Sequence, residues 1–157
     1  MADLGDIITS KVRIKILELF YSNLGEMYHV RGIVREVKEE INAVRRELGK
    51  LESVGILKKE PRGNRLYYFL RDDYPLFGDL LTIVSKTTGL GKNIIDNKNK
   101  IGKVGFIMFS GRFARGKSRK RDDDVDILVV GDVVLPELAS LIKEEEVKSP
   151  NKKWKSK

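Results

Sequence analysis

The chain has 157 residues, 41% of them hydrophobic, which is enough for one medium domain or two small ones and excludes wholesale disorder. Thirty-one Lys and Arg against 23 Asp and Glu give a net charge of +8, which favours a polyanionic partner, nucleic acid before membrane. There is no cysteine and one histidine, so disulfides, thiolate zinc sites and cysteine nucleophiles are excluded.

The N-terminus MADLGDIITS lacks a basic region followed by an apolar run, so no signal peptide is read there. No apolar stretch is long enough to span a bilayer. A cytoplasmic protein with no membrane partner is expected. Ser10 is placed to cap a first helix, in which Ile14, Leu17, Phe20 and Tyr21 recur at helical spacing. Asn23-Leu24-Gly25 ends it. A second short helix carries Val30, Ile33, Val34 and Val37. A third carries Ile41, Val44, Leu48 and Leu51 and ends at Gly55, which suits a left-handed cap. Ile56 to Glu60, a turn at Pro61 to Arg65, and Leu66 to Leu70 read as strand, turn, strand.

Pro75 to Ser85 reads as a further helix, with Leu76, Leu80 and Val84 on one face. Thr87 to Gly91 breaks it, and a polar helix or loop follows through Lys100. A strand then spans Val104 to Phe109, a basic loop Ser110 to Arg121, and a second strand Val125 to Val130. Pro136 opens a helix that runs through Glu146. The resulting expectation is an α+β chain. Residues 8–74 form a DNA-binding domain, 75–100 a helical linker, 101–147 a partial α/β domain and 148–157 a basic disordered tail.

On the third helix, Asn42, Arg45, Arg46 and Gly49 fall at i, i+3, i+4 and i+7, one stripe opposite the apolar face. Asn pairs in bidentate fashion with adenine and Arg with guanine in the major groove. Gly49 leaves room for close backbone approach, and Lys50 beside the stripe suits a phosphate. Arg62, Asn64 and Arg65 sit on the hairpin turn, a shape that suits phosphates or the minor groove. Glu39, Glu40 and Glu47 belong to a solvated face. Near the helix start they favour its dipole, but they sit poorly against phosphate. His29 is expected at a helix start or core edge.

KVRIKILELF, HVRGIVREV, EEINAVRRELGKLESVGILKKE and PRGNRLYYFL together resemble the ArsR-like winged-helix regulators. That resemblance implies a homodimer on a pseudo-palindromic duplex, with Asn42, Arg45 and Arg46 in the groove. The Cys and His clusters of metal sensing are missing, so metal sensing is not carried over.

The second half holds Gly111-Arg112-Phe113-Ala114-Arg115-Gly116, a basic loop, and Asp124-Val125-Asp126 leading into an apolar strand. Carboxylates at i and i+2 of a strand share one face and suit divalent metal. The glycine loop offers N–H groups to phosphates. This pattern resembles the minimal nucleotidyltransferases of the DNA polymerase beta superfamily. The resemblance implies nucleotide binding by Gly111, Arg112, Arg115 and Gly116, and Mg2+ on Asp124 and Asp126, the catalytic candidates.

Arg112 stands where the family has serine, and no third carboxylate falls on a plausible later strand. Asp132 follows a turn glycine, and Glu137 and Glu144 to Glu146 lie on a helix that reads as surface. The module therefore reads as truncated relative to the family, with an open sheet edge for a partner protein or second copy to complete. The sequence favours a DNA-binding regulator with a degenerate nucleotidyltransferase-like module. Its alternative is an antitoxin-like transferase that moves a nucleotide from a nucleoside triphosphate to a protein or RNA hydroxyl, with Mg2+ as cofactor.

Overall fold

The computed structural model describes residues 3–110 and 127–148. They form a mixed α+β chain with two small antiparallel sheets. The chain divides into two units, Ala2–Val84 and Ser85–Lys157.

In the first unit α1 spans Lys11–Ser22. Ser10 starts it as expected: its Oγ accepts from the Arg13 N–H at 3.3 Å. The helix buries Ile16, Leu17, Phe20 and Tyr21, while Ile14 is only half-buried. A two-residue strand follows, β1 (Tyr28–His29), and then α2 (Val30–Val37). His29 is the cap of α2, and its Nδ1 accepts from the Gly32 N–H at 2.9 Å. Lys38 closes α2 in the left-handed region at φ 54°.

Helix α3 spans Ile41–Ser53 and buries Val44, Leu48 and Leu51. Gly55 follows at φ +82°, where a Cβ would be strained. Strands β2 (Leu57–Arg62) and β3 (Arg65–Leu70) pair in register from Leu57 with Leu70 to Arg62 with Arg65. That leaves a two-residue turn led by Gly63 at φ +60°, as a type II′ hairpin requires.

The sheet has three strands, in the order β1-β3-β2. The sequence reading found only the hairpin. Strand β1 is two residues long, too short for any period-2 signal, and it exists because Tyr28 and His29 pair with Tyr68 and Tyr67. Phe20 packs edge-on against Tyr28, with ring centroids 5.5 Å apart. Helix α4 (Phe77–Thr87) begins two residues later than expected. Its Phe77 ring meets Tyr21 and its Val84 is buried, but Leu76 is 53% exposed and does not share that face.

In the second unit α5 (Gly89–Asp96) and α6 (Lys98–Ile101) precede β4 (Gly102–Phe109). Then come β5 (Ile127–Val133) and α7 (Leu135–Lys148), with Pro136 in its first turn. The strands β4 and β5 are antiparallel. Leu90, Ile94, Ile101 and Leu138 form the buried centre.

This corrects the reading of 75–100 as a linker. The chain does break at Thr88, but α5 within that stretch supplies two of the four central core residues, Leu90 and Ile94. Gly91 is needed at its start, because a Cβ there would lie 1.8 Å from the Ser85 carbonyl oxygen. Among the described residues no helix is long and apolar enough to cross a membrane.

Candidate nucleic-acid interface

Helix α3 is oriented by its buried residues. With Val44, Leu48 and Leu51 inward, Asn42, Arg45, Arg46, Gly49 and Lys50 are all exposed. A Cβ at Gly49 would meet nothing within 4 Å, so this stretch of helix surface is open. The turn residues Arg62, Gly63, Asn64 and Arg65 are also exposed, at the free end of the β2–β3 hairpin. The structure thus brings the expected groove residues onto one helix face and the expected turn residues onto one hairpin tip.

The carboxylates around α3 decide whether that face can meet phosphate. Glu40 is the cap of α3, and its two oxygens accept from the Asn42 and Ala43 N–H groups at 2.8 and 2.9 Å. Those two bonds hold its carboxyl below the usual range, helped by the charges of Arg46 and Arg45. Glu39 is taken by Lys15 of α1. Glu47 is not on a solvated face at all. It is 7% exposed, and its Oε2 accepts from Arg13 Nε at 2.7 Å. Burial pushes its carboxyl up, but hydrogen bonds from Arg13 and Lys50 outweigh that and leave it lowered.

The placement of Glu47 corrects the sequence reading, and the signal for it was present. Val44, Glu47, Leu48 and Leu51 fall at i, i+3, i+4 and i+7, which is the buried stripe itself. A charged residue on that stripe needs a partner, and Arg13 is it. The expected role of Lys50 also changes. Its Nζ lies 3.3 Å from Glu47 Oε1, so phosphate must compete with a carboxylate for it. On the hairpin, Arg62 is similarly held by Glu60 at 3.1 Å. Among the described residues Arg45, Arg46 and Arg65 make no ion pair within 4 Å.

The second candidate site falls elsewhere. Gly111, Arg112, Arg115, Gly116, Asp124 and Asp126 lie outside the described residues. Of the later carboxylates, Asp132 is exposed within β5, and Glu137 and Glu144 are exposed on α7. Glu145 departs from the surface reading: it is buried and accepts from Asn93 Nδ2 of α5 at 2.9 Å. It ties α7 to α5. No family model matches the chain, and neither does any curated protein or solved structure.

Proposed function

We propose that this chain is a DNA-binding regulator whose residues 8–74 act as a winged helix. In this reading α3 enters the major groove, where Asn42, Arg45 and Arg46 meet base edges. The β2–β3 turn is the wing, with Arg62, Asn64 and Arg65 toward the backbone. Residues 101–147 serve as a nucleotidyltransferase-like module for dimerisation or ligand sensing.

One observation carries the reading. The basic stripe of α3 is exposed, while Glu39, Glu40 and Glu47 are each engaged by Lys15, by the helix start and by Arg13. Lys15 and Arg13 neutralise Glu39 and Glu47, while Glu40 stays exposed at the helix start beside Arg45 and Arg46. Neutralised carboxylates repel a duplex less than free ones, which favours this face for phosphate.

The test is a titration of the full chain against a pool of labelled duplexes and against the separated strands, at several salt concentrations. Preferential binding of some duplexes, with affinity falling steeply as salt rises, is expected. Equal affinity for single strands and for every duplex would overturn the groove-reading assignment.

A further inference from the structure

The β4–β5 ribbon has two unlike faces. Val104, Ile107 and Phe109 of β4 and Val129 and Val133 of β5 pack onto the buried centre of their unit. Side chains alternate across a strand, so the residues between these point the other way. They are Phe106 and Met108 on β4 and Leu128 and Val130 on β5, which are 52, 47, 43 and 50% exposed.

Register orders this outer face. Met108 is opposite Leu128 and Phe106 is opposite Val130. The irregularity between Val104 and Phe106 absorbs Gly105, which keeps Lys103 on the same side as Phe106. Lys103 is opposite Asp132, and both are exposed. Along the ribbon the outer face therefore carries two apolar cross-strand pairs and then one pair of opposite charges.

We propose that this face is a homodimer interface, formed by two copies of the ribbon packed face to face about a two-fold axis parallel to the strands. Such an axis lays β4 over the second copy's β5. Every outer residue then faces the second copy's version of its own cross-strand neighbour. Lys103 meets the partner's Asp132, Phe106 meets the partner's Val130, and Met108 meets the partner's Leu128. Each larger apolar side chain opposes a smaller one, and the charges form two ion pairs related by symmetry.

The other face-to-face two-fold, perpendicular to the strands, lays β4 on β4 in opposite directions and sets Lys103 toward the apolar end. It leaves a desolvated ammonium beside Met108, which is costly. The face is thus complementary to itself in one arrangement, as an isologous interface must be. The dimer does not depend on DNA binding.

A two-stranded ribbon of seven residues measures roughly 23 by 10 Å. That is narrower than a standard interface of about 800 Å² per partner, so the dimer is reversible and depends on concentration.

Sedimentation velocity of the full chain, from low to several hundred micromolar, tests this. The wild type should pass from monomer to dimer. Lys103→Glu and Asp132→Lys each set like charges together at both ion pairs, and each alone should weaken association by about tenfold or more. Mixed together, the two variants should associate again, because each supplies the charge the other now lacks. Only contact between chains produces that rescue, since mixing cannot repair a fault within either chain. Phe106→Ser should remain monomeric, with circular dichroism confirming the fold. A monomeric wild type, a dimeric Phe106→Ser, or a mixture that stays dissociated would each overturn the proposal.

Discussion

Arg13 of α1 donates its Nε–H to Oε2 of Glu47 on α3 across 2.7 Å, 34 residues apart in the chain. The pair is unequal: the Glu47 side chain is 9% exposed and that of Arg13 is 33%. It fixes α3 against α1 from the side opposite the basic stripe. Glu47→Gln should therefore cost about 1–2 kcal/mol, below the ~3–5 of a fully buried pair because Arg13 keeps some water. Urea denaturation measures this directly. The pH dependence has a definite sign. The Glu47 carboxyl is held below its ordinary 4.5, so its contribution is present above that value and is lost as pH falls through the lowered one. The acid limb of stability against pH should be shallower in Glu47→Gln than in wild type. An unchanged limb would remove Glu47 as its source.

Arg45 and Arg46 should behave in the opposite way. Both are exposed, so alanine at either position should leave stability within about 0.5 kcal/mol. Each should nevertheless cost about 1–3 kcal/mol on the preferred duplex and relax sequence preference at one position. Fluorescence anisotropy on matched and mismatched duplexes separates the two effects. Full affinity in both variants would detach α3 from base reading.

Arg65 should act through charge alone. It is exposed at the hairpin tip, with no ion pair among the described residues, whereas Arg62 is held by Glu60. Arg65→Ala should weaken all duplexes alike and lower the salt slope by about 1. Arg62→Ala should change the slope less. Plots of log affinity against log salt give both numbers, and equal slopes in the wild type and both variants would take the hairpin tip off the phosphates.

Lys38 holds φ 54° at the end of α2, a conformation that costs an L-residue roughly 1–2 kcal/mol. Lys38→Gly relieves this, at the cost of a more flexible unfolded chain. The net should be a gain of about 0.5–1 kcal/mol, read as a higher urea midpoint at constant slope. Lys38→Val should lose stability, since a β-branched side chain tolerates this region worst.

Much of the first unit is legible in sequence because its signals are local. The Ser10 cap, the Gly55 stop, the 3.6-residue spacing of Val44, Leu48 and Leu51, and the hairpin at Gly63 each act within a turn or two of chain. They also place Asn42, Arg45 and Arg46 on one face, which is why the candidate groove residues were found without coordinates. Glu47 was misplaced because its charge was weighed above its position on the apolar stripe. Residues 89–100 read as linker because Lys and Asn outnumber Leu90 and Ile94 there, and average polarity hides those two core residues.

By itself the sequence determined where the three helices and the hairpin of the first unit lie, which side of α3 is basic, and that the hairpin ends in two arginines. Those properties follow from backbone preference and side-chain period, which need no distant partner. Only the tertiary structure decided that Tyr28–His29 is a strand, that the partner of Glu47 is Arg13, and that the β4–β5 ribbon keeps an apolar outer face. Each of these depends on which surfaces meet across long stretches of chain. A hydrogen bond or buried contact of that kind has no local spacing to announce it.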